Sequence, residues 1–160
     1  MLKYVVLILV VVLLLGAALV RLRPLQPSAY HSNEIGQLLS KGAEGAFSAG
    51  DGGDIPALLV AAPLDVVAAR VSDIIQNTPR TTVLAGDLTV AGEPDTRRSA
   101  SFVTRSSLWG FPDVTTVQLD QTGDGVRVSM HGRLVYGKLD FGVNEARVRS
   151  WLDQIAAAGS

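Results

Sequence analysis

An uncharged, strongly apolar run near the N-terminus constrains this chain more than any other feature. The run YVVLILVVVLLLGAALV extends from Tyr4 to Val20 without a charge or a proline. At about 1.5 Å rise per residue, a helix of this length with leucines at both ends spans a hydrocarbon core of roughly 30 Å. Lys3 precedes the run, and Arg21 and Arg23 follow it. We therefore expect a single-pass transmembrane anchor over residues 1–23, with residues 4–20 in the lipid bilayer.

A cleaved signal peptide is the alternative interpretation of this run. Signal peptides have apolar cores of about 7–15 residues followed by a small-x-small cleavage site. Here the run is longer, and Leu19, Val20 and Arg21 stand where small residues are needed. The positive-inside rule weakly favours a cytoplasmic domain, because two arginines follow the run and one lysine precedes it. A very short tail before an apolar run is typical of secretory anchors, so we expect the domain on the extracytoplasmic side.

Charge and composition exclude several classes of function. The formal net charge is −1, and no cluster of Lys and Arg suggests a nucleic-acid partner. The chain has no cysteine, which removes disulfides, thiol nucleophiles, iron–sulfur clusters and Cys-ligated zinc. No spacing of His, Asp and Glu predicts a metal site. We expect neither a metal ion nor a cofactor.

Composition divides the rest of the chain into a linker and a domain. Residues 24–54 contain two prolines and a Gly-rich stretch, KGAEGAFSAGDGGD, which predicts a flexible linker. The glycines lack the G-x-G-x-x-G order of a phosphate-binding loop. We expect the folded domain to occupy residues 55–160, with a loop in GEPDTRR near residue 94.

Periodicity predicts an α+β domain. Apolar residues at helical spacing predict a first helix over 63–77, which ends at Thr78-Pro79, and a last helix over 144–157. Between them lie four to five strand-like runs, with a hairpin turn at Asp124-Gly125. The expected architecture is helix, antiparallel strands, helix, with both helices on one face of the sheet. The last helix should carry an apolar stripe of Val148, Trp151, Leu152 and Ile155.

The strand VRVSMHGRLVY has the clearest alternation in the chain. Its apolar positions should face the helices, and Arg127, Ser129, His131 and Arg133 should lie on a solvated face. On this pattern His131 is expected to be a solvated histidine rather than a base or a ligand.

The corner Gly110-Phe111-Pro112-Asp113 joins two strands, and Trp109 and Phe111 lie at the bend. Glycine and proline at these positions are typical of a tight turn. We expect both aromatic side chains to pack beneath the corner or against a helix. The alternative is an aromatic lip over a ligand or at a membrane surface, because Trp favours interfaces.

Two segments carry a family resemblance. FVTRSSLWGFPDVTTVQL and GRLVYGKLDFGVNEARVRSWL resemble the bacterial family called domain of unknown function 1499, whose patterns are V-x-R-S-R-x-x-G-x-x-D and G-x-S-D-x-G-V-N-x-x-R-V. AYHSN, with His31, is similar to a Trp-His segment of that family. The matching positions are Val103, Arg105, Gly110, Asp113, Gly137, Asp140, Gly142, Val143, Asn144, Arg147 and Val148. Ser107, Val135 and Leu139 depart from the pattern. The resemblance implies membrane or envelope association and no established activity.

Three functional hypotheses follow from these observations. The first is a membrane-anchored binding or structural module of the cell envelope, with an envelope ligand or a membrane protein as its partner. The second is an enzyme, hydrolase-like or of another class, with Asp140 as acid or base. The third is a subunit of a larger membrane complex. The candidate ligand-binding residues in any of these roles are Arg105, His131, Arg133, Asp140 and Asn144.

The alternative interpretation gives the same residues a purely structural role. It places Asp140 in a turn, Asn144 at the N-cap of the last helix and the two arginines in solvent. In this interpretation Val143 and Val148 form a hydrophobic staple around the cap.

Overall fold

The computed structural model describes residues 1–39, 44–91 and 95–159. The predicted loop around residues 92–94 and the part of the predicted linker at 40–43 lie outside these ranges. The helices in the described chain are α1 (Leu2–Leu22), α2 (Pro27–Tyr30), α3 (Gly36–Leu39), α4 (Leu64–Gln76) and α5 (Val143–Ala157). The α+β prediction is confirmed, and α4 and α5 begin and end within one residue of the predicted helices.

One antiparallel sheet forms the centre of the domain. Its strands are β1 (Phe47–Ala49), β2 (Leu58–Val60), β3 (Thr81–Gly86), β4 (Arg97–Arg105), β5 (Pro112–Thr122) and β6 (Gly125–Leu134). The order is β1-β6-β5-β4-β3, and β2 also pairs with β6. The short strands β1 and β2 therefore occupy one edge in succession, against residues 130–132 and 126–128 of β6. The predicted turn between β5 and β6 is confirmed, since Thr122 pairs with Gly125.

The main core lies between the sheet and the helices α4 and α5. The predicted stripe of α5 is confirmed, with Val148, Trp151, Leu152 and Ile155 all buried. The indole nitrogen of Trp151 donates to Thr78 Oγ1 at 2.9 Å, which ties α5 to the end of α4. Val126, Val128 and Met130 of β6 are fully buried against this layer. Each Å² of apolar surface that is removed from water stabilises the fold by about 25 cal/mol, so this layer is the main source of stability.

The other face of the sheet is covered by residues 27–39, which we call the strap. The backbone N–H of Ile35 donates to Gln118 Oε1 on β5 at 2.9 Å. Ser99 on β4 donates to Ser32 O, and Arg133 on β6 donates to Tyr30 O. The strap therefore crosses three central strands. The prediction of a solvated face is wrong for Ser129 and His131, which are both buried, because the periodicity of one strand does not reveal a covering segment that is distant in sequence.

The sheet also begins before the predicted domain boundary at residue 55. Phe47, Ser48 and Ala49 lie in the stretch predicted to be a flexible linker, yet they form β1 and are buried. Asp54 fixes the following loop, because its carboxylate accepts a hydrogen bond from Ser48 N at 2.7 Å. Phe47–Ala49 of the Gly-rich segment thus form part of an edge of the sheet.

Candidate functional site

A row of buried polar side chains crosses the sheet beneath the strap. Ser48 pairs with His131, His131 with Thr116, and Thr116 with Ser101, so the row takes one residue from each of β1, β6, β5 and β4. All four residues are less than one-tenth exposed. Because alternate residues of a strand face opposite sides, the row points away from the helices. We call it the polar row.

Hydrogen bonds connect the polar row to a second histidine on the strap. Ser101 Oγ lies 2.9 Å from Thr116 Oγ1 and 3.0 Å from His31 Nδ1. The other ring nitrogen of His31 lies 2.8 Å from Asn33 Oδ1, an acceptor, so Nε2 carries the proton. In the neutral ring Nδ1 then accepts from the Ser101 hydroxyl, and Ser101 in turn accepts from Thr116. The strap is therefore fastened to β4 through a directed chain of hydrogen bonds.

His131 lies at the opposite end of the row. Its Nδ1 is 2.8 Å from Ser48 Oγ, and its side chain is buried. Burial and, to a smaller extent, the neighbouring Arg133 charge lower the pKa of His131 to about 4, against an opposing effect of Asp54. The imidazole is therefore neutral at pH 7, and in its Nε2–H tautomer Nδ1 accepts a hydrogen bond from the Ser48 hydroxyl. The prediction of a solvated His131 is wrong, since both the strap and β1 enclose it.

A small cavity opens beside the Ser48–His131 pair. Its volume is about 180 Å³, and its lining residues are Leu39, Ala46, Ser48, Gly52, Gly53, Asp54 and His131. A serine bonded to a neutral imidazole is the arrangement of a nucleophile and its base. In a triad, however, the acid orients the imidazole, whereas here Asp54 accepts from the backbone of Ser48. Sequence reasoning missed Ser48 and Asp54 because 83 positions separate Ser48 from His131.

A second and larger cleft lies at the edge of the strap. It measures about 420 Å³ and includes Asp51, Arg97, Asp120 and Arg127 in its lining. Two ion pairs cross it, Arg97 to Asp120 and Arg127 to Asp51, each at 2.6 Å. The cleft therefore offers polar groups whose charges are largely balanced. Among the described residues, no group of three or more His, Asp or Glu side chains is placed to hold a metal ion.

Three of the predicted site residues lie on the strap side of the sheet. Besides His131, Arg133 donates to Tyr30 O at 3.2 Å and stacks over the Tyr30 ring at 5.3 Å. Arg105 donates to Gly110 O at 3.0 Å and so supports the corner between β4 and β5. Both arginines have structural partners, and neither is a freely solvated side chain.

The other two predicted site residues lie on the helix side. Asp140 is the cap of α5, because its carboxylate accepts from Gly142 N at 3.0 Å and Asn144 N at 2.9 Å. Asn144 is not the N-cap: that position is Gly142, with a φ of 78°. Val143 lies inside the helix and is half exposed, so the predicted staple position is also wrong.

Asn144 is instead a buried connector. Its side chain donates to Gly45 O and accepts from Arg147, each at 2.8 Å. Arg147 also pairs with Asp113 on β5 at 2.8 Å, with both side chains largely buried. Burial raises the pKa of Asp113, and the Arg147 hydrogen bond and charge oppose that shift. The sheet thus separates Asp140 and Asn144 from His131 and Arg133.

The corner between β4 and β5 is exposed. Trp109 is 44% exposed and Phe111 is 43% exposed, so the prediction that they pack beneath the corner is wrong. Gly110 adopts a φ of 70°, and a side chain at this position would lie 2.9 Å from Arg21 Cγ. The corner therefore lies against the end of α1.

Comparison with known proteins agrees with the resemblance in the sequence. A family model described as "Protein of unknown function (DUF1499)" matches residues 25–155, which include the strap, the whole sheet and most of α5. No curated protein and no solved structure matches the chain. Because the family model covers most of the chain, the protein belongs to the DUF1499 family of uncharacterised function.

Proposed function

We propose that this protein is a membrane-anchored module whose domain lies directly on the surface of the bilayer and serves a binding or structural role in the cell envelope. One observation carries the proposal. Helix α1 is 21 residues long, strongly apolar, long enough to cross a membrane and not buried against the rest of the protein. A signal sequence near the N-terminus can also be long and apolar enough to meet this criterion, so retention of the helix is the decisive point.

The junction between α1 and the domain supports the surface position. Only residues 23–26 separate the end of α1 from α2, where the strap begins. Four extended residues reach at most about 14 Å. Since the strap is hydrogen-bonded to the sheet, the domain is held at the membrane rather than carried on a long tether.

The cleft at the edge of the strap is the part of the domain best suited to a ligand. Its paired arginines and carboxylates offer hydrogen bonds without a large excess of charge. Such a lining suits a hydroxyl-rich or zwitterionic molecule better than a strong polyanion. An extracytoplasmic position would bring this cleft into contact with envelope components.

Retention and sidedness can be tested on the full chain. We expect the protein to stay in the membrane pellet after carbonate extraction, with an N-terminus that precedes residue 20. Because the chain contains no cysteine, single cysteines report topology cleanly. Asp124→Cys, in the exposed β5–β6 turn, should react with an impermeant maleimide in intact cells, and Lys3→Cys should react only after lysis. An N-terminus beyond residue 20 would refute the anchor, and the reverse labelling pattern would refute the extracytoplasmic side alone.

Hydrolysis by Ser48 is a second candidate function, favoured by the 2.8 Å Ser48–His131 contact beside a cavity. In that reaction His131 Nδ1 would accept the hydroxyl proton while Ser48 Oγ attacks an acyl carbon, and the imidazolium would then give that proton to the departing alcohol or amine. Water would hydrolyse the resulting acyl-enzyme and free Ser48. A fluorophosphonate probe should then label the wild-type chain and not Ser48→Ala. Absence of labelling in a folded wild-type protein would leave the pair with a structural role.

A further inference from the structure

The exposed aromatic residues of the domain are gathered at one end of the sheet. Leu108, Trp109 and Phe111 lie on the corner between β4 and β5, and Tyr136, Leu139 and Phe141 lie in the segment between β6 and α5. The two segments are adjacent because Val135 N donates to Pro112 O. We call these six residues the anchor-end surface. Among the described residues after α1, each exposed aromatic side chain belongs to it.

The anchor-end surface lies where α1 ends. Gly110 is in the middle of the corner, and Arg21, in the last turn of α1, packs against it. The strap begins nearby, since Arg133 at the end of β6 donates to Tyr30 O. Because only residues 23–26 connect α1 to the strap, and four extended residues reach at most about 14 Å, this end of the sheet is held close to the membrane.

Phe141, one of these six residues, is exposed on a strained backbone. Phe141 has a φ of 54°, a conformation that is unfavourable for a bulky residue. Its side chain is 92% exposed, so the strain does not serve packing inside the domain. A contact outside the domain explains why an aromatic residue occupies this position.

The chemistry of the surface matches a membrane interface. Trp and Tyr combine an apolar ring with a polar group and concentrate at the level of the lipid head groups. Arg21 and Arg23 at the end of α1 place positive charge at the same level, where anionic lipids attract it. The exposed Lys138 beside Leu139 adds a further cation, which is paired with Glu44 at 3.7 Å. Exposed apolar side chains gathered at one end of a domain are typical of an interaction site.

We propose that the anchor-end surface is a second membrane contact, in which both segments insert their aromatic side chains into the interfacial layer of the leaflet where α1 emerges. This inference rests on the proposed membrane anchoring. The contact sets the orientation of the domain: it places the strap and its cleft at the side of the sheet and the β5–β6 turn away from the lipid.

The two tryptophans provide a test with an internal control. Trp151→Phe leaves Trp109 as the single fluorophore, and Trp109→Phe leaves the buried Trp151. The full chain is reconstituted in vesicles of phosphatidylcholine and phosphatidylglycerol, with and without bromine-labelled acyl chains. We expect brominated lipid to remove most of the Trp109 emission and little of the Trp151 emission, and aqueous iodide to quench neither strongly. If Trp151→Phe does not fold, the difference between wild type and Trp109→Phe gives the same quantity.

Variants at the other segment extend the test. Phe141→Ser in the Trp109-only protein should reduce quenching by brominated lipid, whereas Leu59→Ser, an exposed apolar residue of β2 away from this end, should not change it. Quenching of Trp109 by iodide and not by lipid would overturn the inference, and so would protection from both, which would indicate that a second copy of the chain covers Trp109. Failure of the chain to float with vesicles would instead refute the anchor, while flotation without lipid quenching would refute only the second contact.

Discussion

Ser48 Oγ lies 2.8 Å from His131 Nδ1, and this hydrogen bond joins the edge strand β1 to the centre of the sheet beneath the strap. Both side chains are about 95% buried. A charged imidazole in this position would lose most of its hydration and would lie close to Arg133. Burial and the nearby Arg133 charge therefore favour the neutral imidazole, and the stability of the domain depends on that protonation state.

Stability should fall on acidification because of His131. Its pKa is about 4 in the folded protein and 6.5 in the unfolded chain, so between these values the unfolded state binds more protons and protonation favours unfolding. At about 1.4 kcal/mol per pKa unit, the loss approaches roughly 3 kcal/mol as pH falls from 6.5 to 4. Chemical denaturation of the full chain in detergent across this range measures it.

The His131→Gln variant isolates that contribution. It should be less stable at pH 7 and should lose this part of the pH dependence, while His31→Gln should retain it. Asp113 acts in the opposite direction, because burial raises its pKa, but its contribution is present in all three proteins. An unchanged pH slope in His131→Gln would show that His131 is not the responsible group.

Asn144, at the start of α5, should be more important for stability than Asp140, which caps the helix. Asn144→Ala removes hydrogen bonds to Gly45 O and Arg147 inside the protein, and buried groups left without partners cost about 1–3 kcal/mol each. We expect a total loss of about 3 kcal/mol. Asp140→Asn retains a capping side chain and should cost under about 1 kcal/mol.

Glu145→Ala is the matched control for both variants. Glu145 lies in the same turn, is exposed, and pairs with Arg149 across one helical turn. Such a pair contributes about 0.3–0.5 kcal/mol. Equal losses for Asn144→Ala and Glu145→Ala in urea unfolding would contradict the connector role of Asn144.

Truncation of the two tryptophans should destabilise the domain to very different extents. Trp151→Ala removes a fully buried ring and its hydrogen bond to Thr78, which should cost about 3–5 kcal/mol. Trp109→Ala, at an exposed corner, should cost less than about 1 kcal/mol. The melting temperatures of the two variants in detergent measure these losses of stability. A large loss for Trp109→Ala would contradict the exposed position of Trp109 at the corner.

Some elements of the structure are determined by residues that are close together in the sequence, and others are not. Helices α4 and α5 were predictable because their apolar stripes and end signals lie within one segment, and β6 was predictable from its strict alternation. Strand β1 was not, because Phe47–Ala49 form a strand only by pairing with residues 130–132. No periodicity within three residues reveals such a pairing.

The same reason explains the misjudged site residues. His131 looked solvated because the covering strap is about a hundred positions away in sequence. Asn144 looked like an N-cap because Asn precedes many helices, and its actual contact with Gly45 spans 99 positions. The Ser and Thr residues of β4 and β5 that point to the strap side were a usable signal, since buried polar side chains need partners.

Gln118 should hold the strap on the sheet. Its Oε1 accepts from Ile35 N at 2.9 Å in a buried site, and its Nε2 donates to Asp120 at 2.7 Å. Gln118→Ala leaves the Ile35 amide without its acceptor, at a cost of about 1–3 kcal/mol. We expect the strap to open more often, so that the amides of residues 31–37 exchange with deuterium about ten-fold faster or more.

Gln154→Ala is the control, because the Gln154 side-chain amide donates to Ser150 within α5 and to no other residue in the described part of the chain. It should leave strap exchange unchanged. In Gln118→Ala, the amides of β5 and β6 at the centre of the sheet should keep their protection, since the core between the sheet and the helices is intact. Uniformly faster exchange over the whole domain would mean that the strap is part of one cooperative unit, and unchanged exchange at Ile35 would mean that Gln118 does not hold it.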